Sequence, residues 1–380
     1  MSTRLSLCRV SSMTVLSVSL LLLQASPALA DYAAGRKAWL AQDYATAATE
    51  FVQAAKSDDV RAQNDLGALY QNGQGVTQDD TQAVAWYRKA ADRGYLQAQT
   101  NLGYMYENGR GVPIDYAQAR ALYQAAAAHN WPQAQNNIGG LYENALGVQR
   151  DYGVAMRWYR KAADQGLAQA QTNVGFMYET GRGVPRDPVE AMKWYRKSAA
   201  QNYGQAMNNI GALYARGAGV VQNLNVAIDW YRKAAALNNA QAETNLGYLY
   251  AVGRGVPQDD KEAARLYRAA AEQGFAQAQN NLGFMLAAGR GTKRDYAEAK
   301  QWYEQAVAQG LPQAMNNLAE LYEFGRGVTQ DNSMAILWYK RAADAGYALA
   351  ARRLVAVYAN GELGESVDQT RARMWSERAQ

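Results

Sequence analysis

A unit of 36 residues recurs along most of this 380-residue chain. The tripeptide Asn-Leu-Gly at 101–103 returns, with conservative changes of its middle residue, at 137, 173, 209, 245 and 281. The sequence WYRKAA at 86–91 returns at 158 and 230. A fixed period of this length is typical of a solenoid, in which each unit buries its apolar face against its neighbours.

Each unit reads as a helix, a tight loop and a second helix. In the unit that begins at Ala98, apolar residues follow the spacing of one helix face, and Gly109 takes the left-handed position that ends such a helix. Asp115 then predicts the N-cap of the second helix, which continues through Tyr123. The second helices end at a residue suited to positive φ, which is always glycine or asparagine: Gly94, Asn130, Gly166, Asn202, Asn238, Gly274, Gly310 and Gly346. These signals predict an all-α fold, an α/α solenoid of helix-loop-helix repeats.

The glycine-rich loop NGRGVPIDY at 108–116 resembles a phosphate-binding loop when it is seen alone. Close variants of it occur in eight units, and each follows a helical pattern and no strand. The structural context of a nucleotide-binding motif is therefore missing. We interpret the loop as architecture and expect no cofactor.

The N-terminus has the three parts of a secretory signal. Arg4 and Arg9 precede an apolar run at 15–23, and small residues end at Ala30. We predict cleavage after Ala30 and an exported protein, periplasmic or secreted, without a membrane span after cleavage. The predicted divisions are a signal peptide at 1–30, an N-terminal capping helix pair at 31–61, eight repeats at 62–349 and a partial C-terminal capping repeat at 350–380.

Composition excludes several classes of site. Cys8 is the only cysteine and lies in the predicted signal, so the mature chain has no disulfide and no thiolate site. His129 is the only histidine, which excludes catalytic triads and histidine-based metal centres. A formal charge of +5 over the whole chain is too small to indicate a nucleic-acid binder. A pair of carboxylates for glycoside cleavage stays possible.

The recurrent residues resemble those of the Sel-one-like repeat (SLR) family, a branch of the tetratricopeptide-like superfamily. The resemblance covers nearly all of 31–380 and implies a superhelix without a shared catalytic set, which generally acts as an adaptor that holds other proteins. In one unit, the matching residues are Ala98, Asn101, Leu102, Gly103, Tyr106, Gly109, Gly111, Val112, Asp115 and Ala119.

Candidate contact residues follow from the analogy with tetratricopeptide arrays, in which the first helices line the concave side. One series alternates between an aromatic and a small residue, and its aromatic members are Tyr104, Phe176, Tyr248 and Phe284. A second series, expected opposite the buried face, alternates between asparagine and threonine over most of its length: Asn64, Thr100, Asn136, Thr172, Asn208, Thr244 and Asn280. The two together predict a groove that grips an extended peptide. Alternatively, the aromatic residues fill space beside small neighbours, or the 72-residue period records the duplication of a pair.

Three further features favour structural roles. The neighbouring asparagine series from Asn101 to Asn317 is nearly invariant within the chain, which suggests a hydrogen bond to the backbone of the next helix, with a ligand role as the alternative. Basic pairs such as Arg88-Lys89 and Arg160-Lys161 lie near helix C-termini, where cations are favoured, and binding of an acidic polymer is the alternative. His129 corresponds to exposed helix-end residues of other units.

The sequence thus predicts an exported, non-enzymatic scaffold that binds a protein or peptide in its concave groove. A cell-envelope glycan-binding protein or a carboxylate-only glycosidase is the alternative, because aromatic side chains also stack on sugar rings. A secreted effector that contacts host proteins is a further alternative.

Overall fold

The computed structural model describes residues 27–379, with side chains from Tyr32 onward, and this part of the chain forms twenty α-helices. The helices are α1 Pro27–Leu40, α2 Tyr44–Lys56, α3 Val60–Asn72, α4 Asp80–Asp92, α5 Leu96–Asn108, α6 Tyr116–Ala128, α7 Pro132–Asn144, α8 Tyr152–Asp164, α9 Ala168–Thr180, α10 Pro188–Ala199, α11 Gly204–Arg216, α12 Leu224–Ala235, α13 Ala240–Val252, α14 Asp260–Glu272, α15 Ala276–Ala288, α16 Tyr296–Ala308, α17 Pro312–Phe324, α18 Asn332–Asp344, α19 Ala348–Asn360 and α20 Gln369–Arg378.

The described residues divide into two compact units, 27–129 and 130–379. The first contains three helix pairs, α1 to α6, and the second contains seven, α7 to α20. Within each unit, every helix packs against the other member of its pair and against the next pair. We call the odd-numbered helices first helices and the even-numbered helices second helices. The predicted all-α solenoid is confirmed.

The first helices of the second unit also contact one another from repeat to repeat, as α11, α13, α15 and α17 do. Because neighbouring first helices lie close enough for this, they form the inner side of the stack in that unit. We call the solvent-facing surface of the first helices the inner face.

The predicted helix ends are confirmed. Asp79 and its equivalents in the next seven repeats, including Asn223, each accept a hydrogen bond from a backbone N–H of the helix they begin. The residues that follow the second helices all have positive φ, from 55° at Asn238 to 94° at Gly166. From α3 to α19, first helices end at a left-handed glycine except α7, where Ala145 takes φ 58°; after α1 the left-handed residue is Gln42, with φ 61°. Local sequence therefore marks where the second helices of these repeats start and where both helices of a repeat stop.

The second glycine of several loops has a different task, which is close approach to the preceding repeat. A Cβ built on Gly111 would lie 2.2 Å from the carbonyl oxygen of Asp80, at the start of α4. Gly183 and Gly291 meet the equivalent carbonyls of Tyr152 and Asp260 at 2.4 and 1.9 Å. The glycine-rich loop is therefore a joint between repeats, in agreement with its interpretation as architecture.

The glycine of the Asn-Leu-Gly motif packs on a tyrosine of its own repeat. A Cβ on Gly103 would lie 2.6 Å from the ring of Tyr123, and the equivalent glycines meet their tyrosines at 2.6 to 2.9 Å. These tyrosines are almost fully buried, and they fill the space between the first and second helices. In α17 the place holds Ala319, which is also fully buried.

At the N-terminal end, α1 and α2 form a helix pair over 27–56, and the capping role predicted for 31–61 stays a prediction. Phe51 is fully buried at the place of the repeat tyrosines, and the Tyr32 hydroxyl donates to Asp65 of α3 at 3.1 Å. Most of the predicted signal at 1–30 lies outside the described residues, and the predicted cleavage point falls within α1.

At the C-terminal end, α19 and α20 form the last pair. Trp375 is buried in α20, with the guanidinium of Arg378 4.9 Å from the centre of its ring.

Candidate partner-binding face

The four candidate aromatic residues lie on the inner face with different exposure. Tyr248 and Phe284 are 51% and 49% exposed. Tyr104 and Phe176 are half-buried, and each lies beside an arginine of its own loop, Arg110 for Tyr104 and Arg182 for Phe176. The Arg182 guanidinium is 5.0 Å from the centre of the Phe176 ring. The two more exposed aromatic side chains, Tyr248 and Phe284, both belong to the second unit.

The second candidate series is buried, so the prediction that it lies opposite the buried face is wrong. The helices of a solenoid pack against a neighbour on two sides, and this series lies on the side that faces the adjacent repeat. A first helix therefore exposes fewer residues than its apolar pattern in the sequence suggests, because that pattern marks only one of its two buried sides. The buried residues are Asn64, Thr100, Asn136, Thr172, Asn208, Thr244 and Asn280.

The buried asparagines connect consecutive first helices. Asn136 Oδ1 accepts a hydrogen bond from Asn173 Nδ2 at 2.9 Å, and the same bond joins the pairs Asn64–Asn101, Asn208–Asn245 and Asn280–Asn317 at 2.8 to 2.9 Å. The Asn101 series thus has a structural task, although its partner is a side chain and not the predicted backbone group.

The same bonds account for part of the 72-residue period. In alternate repeats a buried threonine hydroxyl donates to a carbonyl of its own helix, as Thr100 does to Leu96 at 2.9 Å and Thr244 to Ala240 at 2.7 Å. Within the units, asparagine pairs thus join α3 to α5, α7 to α9, α11 to α13 and α15 to α17, and both residue types of this series have structural bonds.

Four repeats pair a glutamate of the first helix with the buried tyrosine of the second. Tyr123 donates to Glu107, Tyr159 to Glu143, Tyr195 to Glu179 and Tyr339 to Glu323, at 2.6 to 2.7 Å. In the first full repeat, Gln71 accepts from Tyr87 at 2.6 Å. Each of these carboxylates thus accepts a hydrogen bond from a tyrosine of its own repeat.

We expect the substitution Glu107→Gln to raise the free energy of unfolding at pH 7 and to change it little at pH 4. Burial raises the pKa of the Glu107 carboxyl, and the hydrogen bond from Tyr123 offsets only part of that rise. A raised pKa in the folded state gives stability that is present at low pH and is lost as the pH rises through that pKa. The amide keeps the acceptor for Tyr123, as Gln71 does for Tyr87.

Chemical unfolding at both pH values measures this difference, with the exposed Glu272→Gln as the control. A Glu107→Gln variant that is less stable than the parent at pH 7 would show that the ionised form is the better partner of Tyr123.

The basic pairs serve contacts between and within repeats. The first member reaches a tyrosine hydroxyl on the next first helix, as Arg160 does to Tyr178 at 3.4 Å and Arg232 to Tyr250 at 3.1 Å. The second member covers the tryptophan three residues earlier: Lys89 over Trp86, Lys161 over Trp158, Lys197 over Trp194 and Lys233 over Trp230, with the nitrogen 3.9 to 4.5 Å from the ring centre. These contacts favour the structural interpretation over an acidic polymer.

His129 is exposed at the end of α6, as predicted. The glutamines at its place in other repeats donate to a buried glutamine of the same hairpin, as Gln165 does to Gln135 at 2.7 Å and Gln201 to Gln171 at 2.9 Å. Among residues 27–379, no group of three or more histidine, aspartate or glutamate side chains is placed to hold a metal ion. In the same range, no helix has the length and apolar character to cross a membrane.

Two exposed apolar side chains of the inner face were missed by the sequence reasoning. Val252 lies four residues after Tyr248 and is 49% exposed, and Phe324 ends α17 and is 53% exposed. The signal was available, because the equivalent residues of the earlier repeats are Asn108, Asn144 and Thr180. Comparison of one position across the repeats identifies both.

Comparison with known proteins gives one family and close structural relatives. The sequence model of the Sel1 repeat matches nine consecutive segments: 60–95, 96–131, 132–167, 168–203, 204–239, 240–275, 276–311, 312–347 and 348–379. Comparison with the curated proteins gives no match.

Two solved structures are similar in sequence as well as in fold. A Sel1 repeat protein from Oxalobacter formigenes is 37% identical with a TM-score of 0.58, and the match covers 64% of this chain and 98% of that one. A protective antigen present in uropathogenic Escherichia coli strains, which displays an SLR fold, is 34% identical with a TM-score of 0.52, over 87% of this chain and 79% of its own.

Proposed function

Because the chain belongs to the Sel1 repeat family, we propose that it is a non-enzymatic scaffold that binds a protein partner on the inner face of its first helices. The observation that carries the proposal is a pair of exposed aromatic side chains, Tyr248 and Phe284. They occupy equivalent positions of consecutive repeats, on first helices that contact each other. Large aromatic side chains that are buried on association provide much of the binding free energy of protein interfaces.

Polar groups beside the aromatic residues support a peptide or protein as the partner. The side chains of Asn245 and Asn281 are half-buried on the same first helices, α13 and α15. Asn245 uses one N–H for its bond to Asn208 and Asn281 accepts from Gln277, so the amide oxygen of Asn245 is the group that best fits a backbone N–H of a peptide. Within the second unit, Phe176 would add contact area where Arg182 leaves the ring open, and Tyr104 is the equivalent candidate of the first unit.

The arrangement of the carboxylates favours a scaffold over a glycosidase. Glu107, Glu143, Glu179 and Glu323 accept hydrogen bonds from buried tyrosines. A glycosidase needs one carboxyl group free to protonate the leaving oxygen and a second free to act as base or nucleophile. The inner-face glutamates of the Tyr–Glu pairs are held in structural bonds.

We also propose that the protein acts outside the cytoplasm. The support is the order of charged, apolar and small residues up to Ala30. Mass spectrometry of the N-terminal peptide of the protein from cell fractions tests this: we expect a chain that begins at Asp31 in an exported fraction. An uncleaved chain in the cytoplasm would refute export.

The scaffold function is tested by affinity purification from envelope extracts with two matched variants. One variant replaces Tyr104, Phe176, Tyr248 and Phe284 by alanine. The control replaces exposed apolar residues of second helices, Val189→Ala, Leu337→Ala and Met374→Ala, which lie away from the inner face. We expect a partner that is retained by the parent and the control and is lost from the inner-face variant.

Each other outcome has a definite meaning. Equal retention by all three proteins would exclude the inner face as the binding surface. Loss of glycan retention without loss of any protein would favour the envelope glycan-binding alternative.

A further inference from the structure

The row of inner-face glutamates is interrupted in three consecutive repeats. Glu107, Glu143 and Glu179 are followed at intervals of 36 residues by Ala215, Ala251 and Ala287, before glutamate returns at Glu323. The tyrosines opposite these alanines, Tyr231, Tyr267 and Tyr303, are buried as in the other repeats. The interruption therefore removes three carboxylates from one stretch of the inner face without disturbing the tyrosine core.

The loss of these carboxylates leaves loop arginines unpaired. In an intact repeat junction, Arg182 pairs with Glu143 of the preceding first helix, with Nη1 3.2 Å from Oε1. Arg254 and Arg326 stand in the same relation to Ala215 and Ala287.

Both arginines are exposed, and no carboxylate of the described chain lies within ion-pair distance of either. Arg254 borders an open cleft lined by the neutral residues Gln222, Asn223 and Leu224. Between the two, Arg290 is paired with Asp260 at 2.6 Å, so it is satisfied within the fold.

An exposed apolar surface lies beside the two unpaired arginines. We call it the α13–α17 patch and define it by Tyr248 and Val252 of α13, Phe284 of α15 and Phe324 of α17, each about half exposed. The Arg326 guanidinium is 4.7 Å from the centre of the Phe324 ring. Arg326 therefore contacts an apolar side chain of the patch directly, and Arg254 follows Val252 by two residues in the chain.

Engaged charges bound this surface on both sides. Arg216 pairs with Glu179 at 2.5 Å, and Arg353 pairs with Glu323 at 2.5 Å. Glu320 accepts a hydrogen bond from Asn316 at 2.9 Å. It lies close enough to Arg326 for an electrostatic interaction, although the two form no ion pair. The patch thus covers α13 and α15, where the glutamate row is interrupted, and extends to Phe324 of α17, next to the returning Glu323.

We propose that the α13–α17 patch binds an extended acidic segment of a partner protein, in which apolar side chains lie between two carboxylates. The two carboxylates of the segment pair with Arg254 and Arg326, as Glu143 pairs with Arg182. Its apolar side chains cover Tyr248, Phe284 and Phe324. This proposal rests on the scaffold function, and it adds the chemistry of the partner and the place where it binds.

The spacing of the arginines sets the spacing of the carboxylates. Arg254 and Arg326 lie two repeats apart, which is about 20 Å for helices packed about 10 Å apart. An extended peptide rises about 3.3 Å per residue, so the two carboxylates are about six residues apart. A segment of about ten residues spans the patch with its apolar side chains between them.

The proposal is tested with dye-labelled peptides of twelve residues by fluorescence anisotropy on the full chain. The probe peptide carries two glutamates six residues apart with leucine and phenylalanine between them. Three matched peptides replace both glutamates by glutamine, both glutamates by lysine, or the apolar residues by serine. We expect binding of the probe and at least tenfold weaker binding of each matched peptide.

Variants of the chain separate the two arginines from the general charge of the surface. The double variant Arg254→Gln/Arg326→Gln is expected to bind the probe at least tenfold more weakly than the parent. The variant Arg182→Gln is expected to bind the probe like the parent, because Arg182 is already paired with Glu143. The double variant Ala215→Glu/Ala287→Glu restores the internal carboxylates, which occupy the two arginines. This variant is expected to bind the probe more weakly than the parent. We expect it to stay folded, because four repeats already have a glutamate at this place, bonded to the repeat tyrosine.

Several results would overturn the proposal. They are equal binding of the glutamate and lysine peptides, unchanged affinity of the Arg254→Gln/Arg326→Gln variant, and unchanged affinity after the internal carboxylates are restored. Self-association that the Tyr248→Ala/Phe284→Ala variant abolishes, measured by analytical ultracentrifugation, would instead assign the patch to a second copy of the chain. If the peptides fail but an envelope partner still depends on the inner-face aromatic residues, the scaffold function stands and only the acidic segment is refuted.

Discussion

Replacing Gly139 by alanine is expected to lower the free energy of unfolding by about 2 kcal/mol. A Cβ at this position would lie 2.7 Å from two ring carbons of Tyr159, which is nearly fully buried between α7 and α8. Such overpacking costs about 1–3 kcal/mol and outweighs the gain in helix propensity of about 1 kcal/mol. Chemical unfolding followed by the helical circular dichroism signal measures the change.

The neighbouring residue provides the control in the same helix. At Gly140 the nearest group to an added Cβ is the Tyr159 hydroxyl at 3.8 Å, which is ordinary contact. Only the propensity gain remains, so Gly140→Ala is expected to be more stable than the parent by about 1 kcal/mol. If the free energy of unfolding changes in the same direction in both variants, contact with the Tyr159 ring is not the reason for glycine at position 139.

The second large effect concerns the attachment of the last helix pair. We expect Arg353→Met to lower the free energy of unfolding of α19 and α20 by about 2–3 kcal/mol. Arg353 reaches the buried Glu323 with two nitrogens, at 2.5 and 3.2 Å, and reaches Glu362 at 2.5 Å. Without the guanidinium, the Glu323 carboxylate is left with Tyr339 at 2.7 Å as its side-chain partner. Hydrogen exchange of the amides of α19 and α20 measures the loss locally.

A second substitution tests the cause. In the double variant Glu323→Gln/Arg353→Met, no buried charge remains, and the amide oxygen still accepts from Tyr339, as Gln71 accepts from Tyr87. We expect the double variant to recover most of the lost protection. A double variant as labile as Arg353→Met alone would assign the loss to packing of the arginine side chain.

Sequence reasoning succeeded where one residue acts through its own backbone. Asp115 caps α6 through bonds to Ala117 and Gln118, and Gly109 ends α5 in the left-handed conformation. These effects extend over a few residues, so the pattern of a single repeat contains them. The prediction of the α/α solenoid depended on the same local signals and on the 36-residue period.

Sequence reasoning failed where a side chain has neighbours on two sides. Asn136 was expected to be exposed because it lies away from the apolar stripe of its own helix, yet it is buried against the next first helix and accepts from Asn173. A helical projection describes one helix and contains no information about the adjacent repeat. The exposed strip that remains is defined by packing between repeats.

The sequence by itself determined the repeat, the helix ends, the loop glycines and the aromatic series, because each depends on contacts within one unit or on the period itself. Only the tertiary structure decided which of those side chains face solvent and which arginines lack a carboxylate. Arg182 and Arg254 occur in the same loop motif, but Glu143 pairs with the first, whereas the second stands opposite Ala215. The physical reason is that exposure and charge pairing belong to the junction between repeats, which forms only when the helix pairs stack.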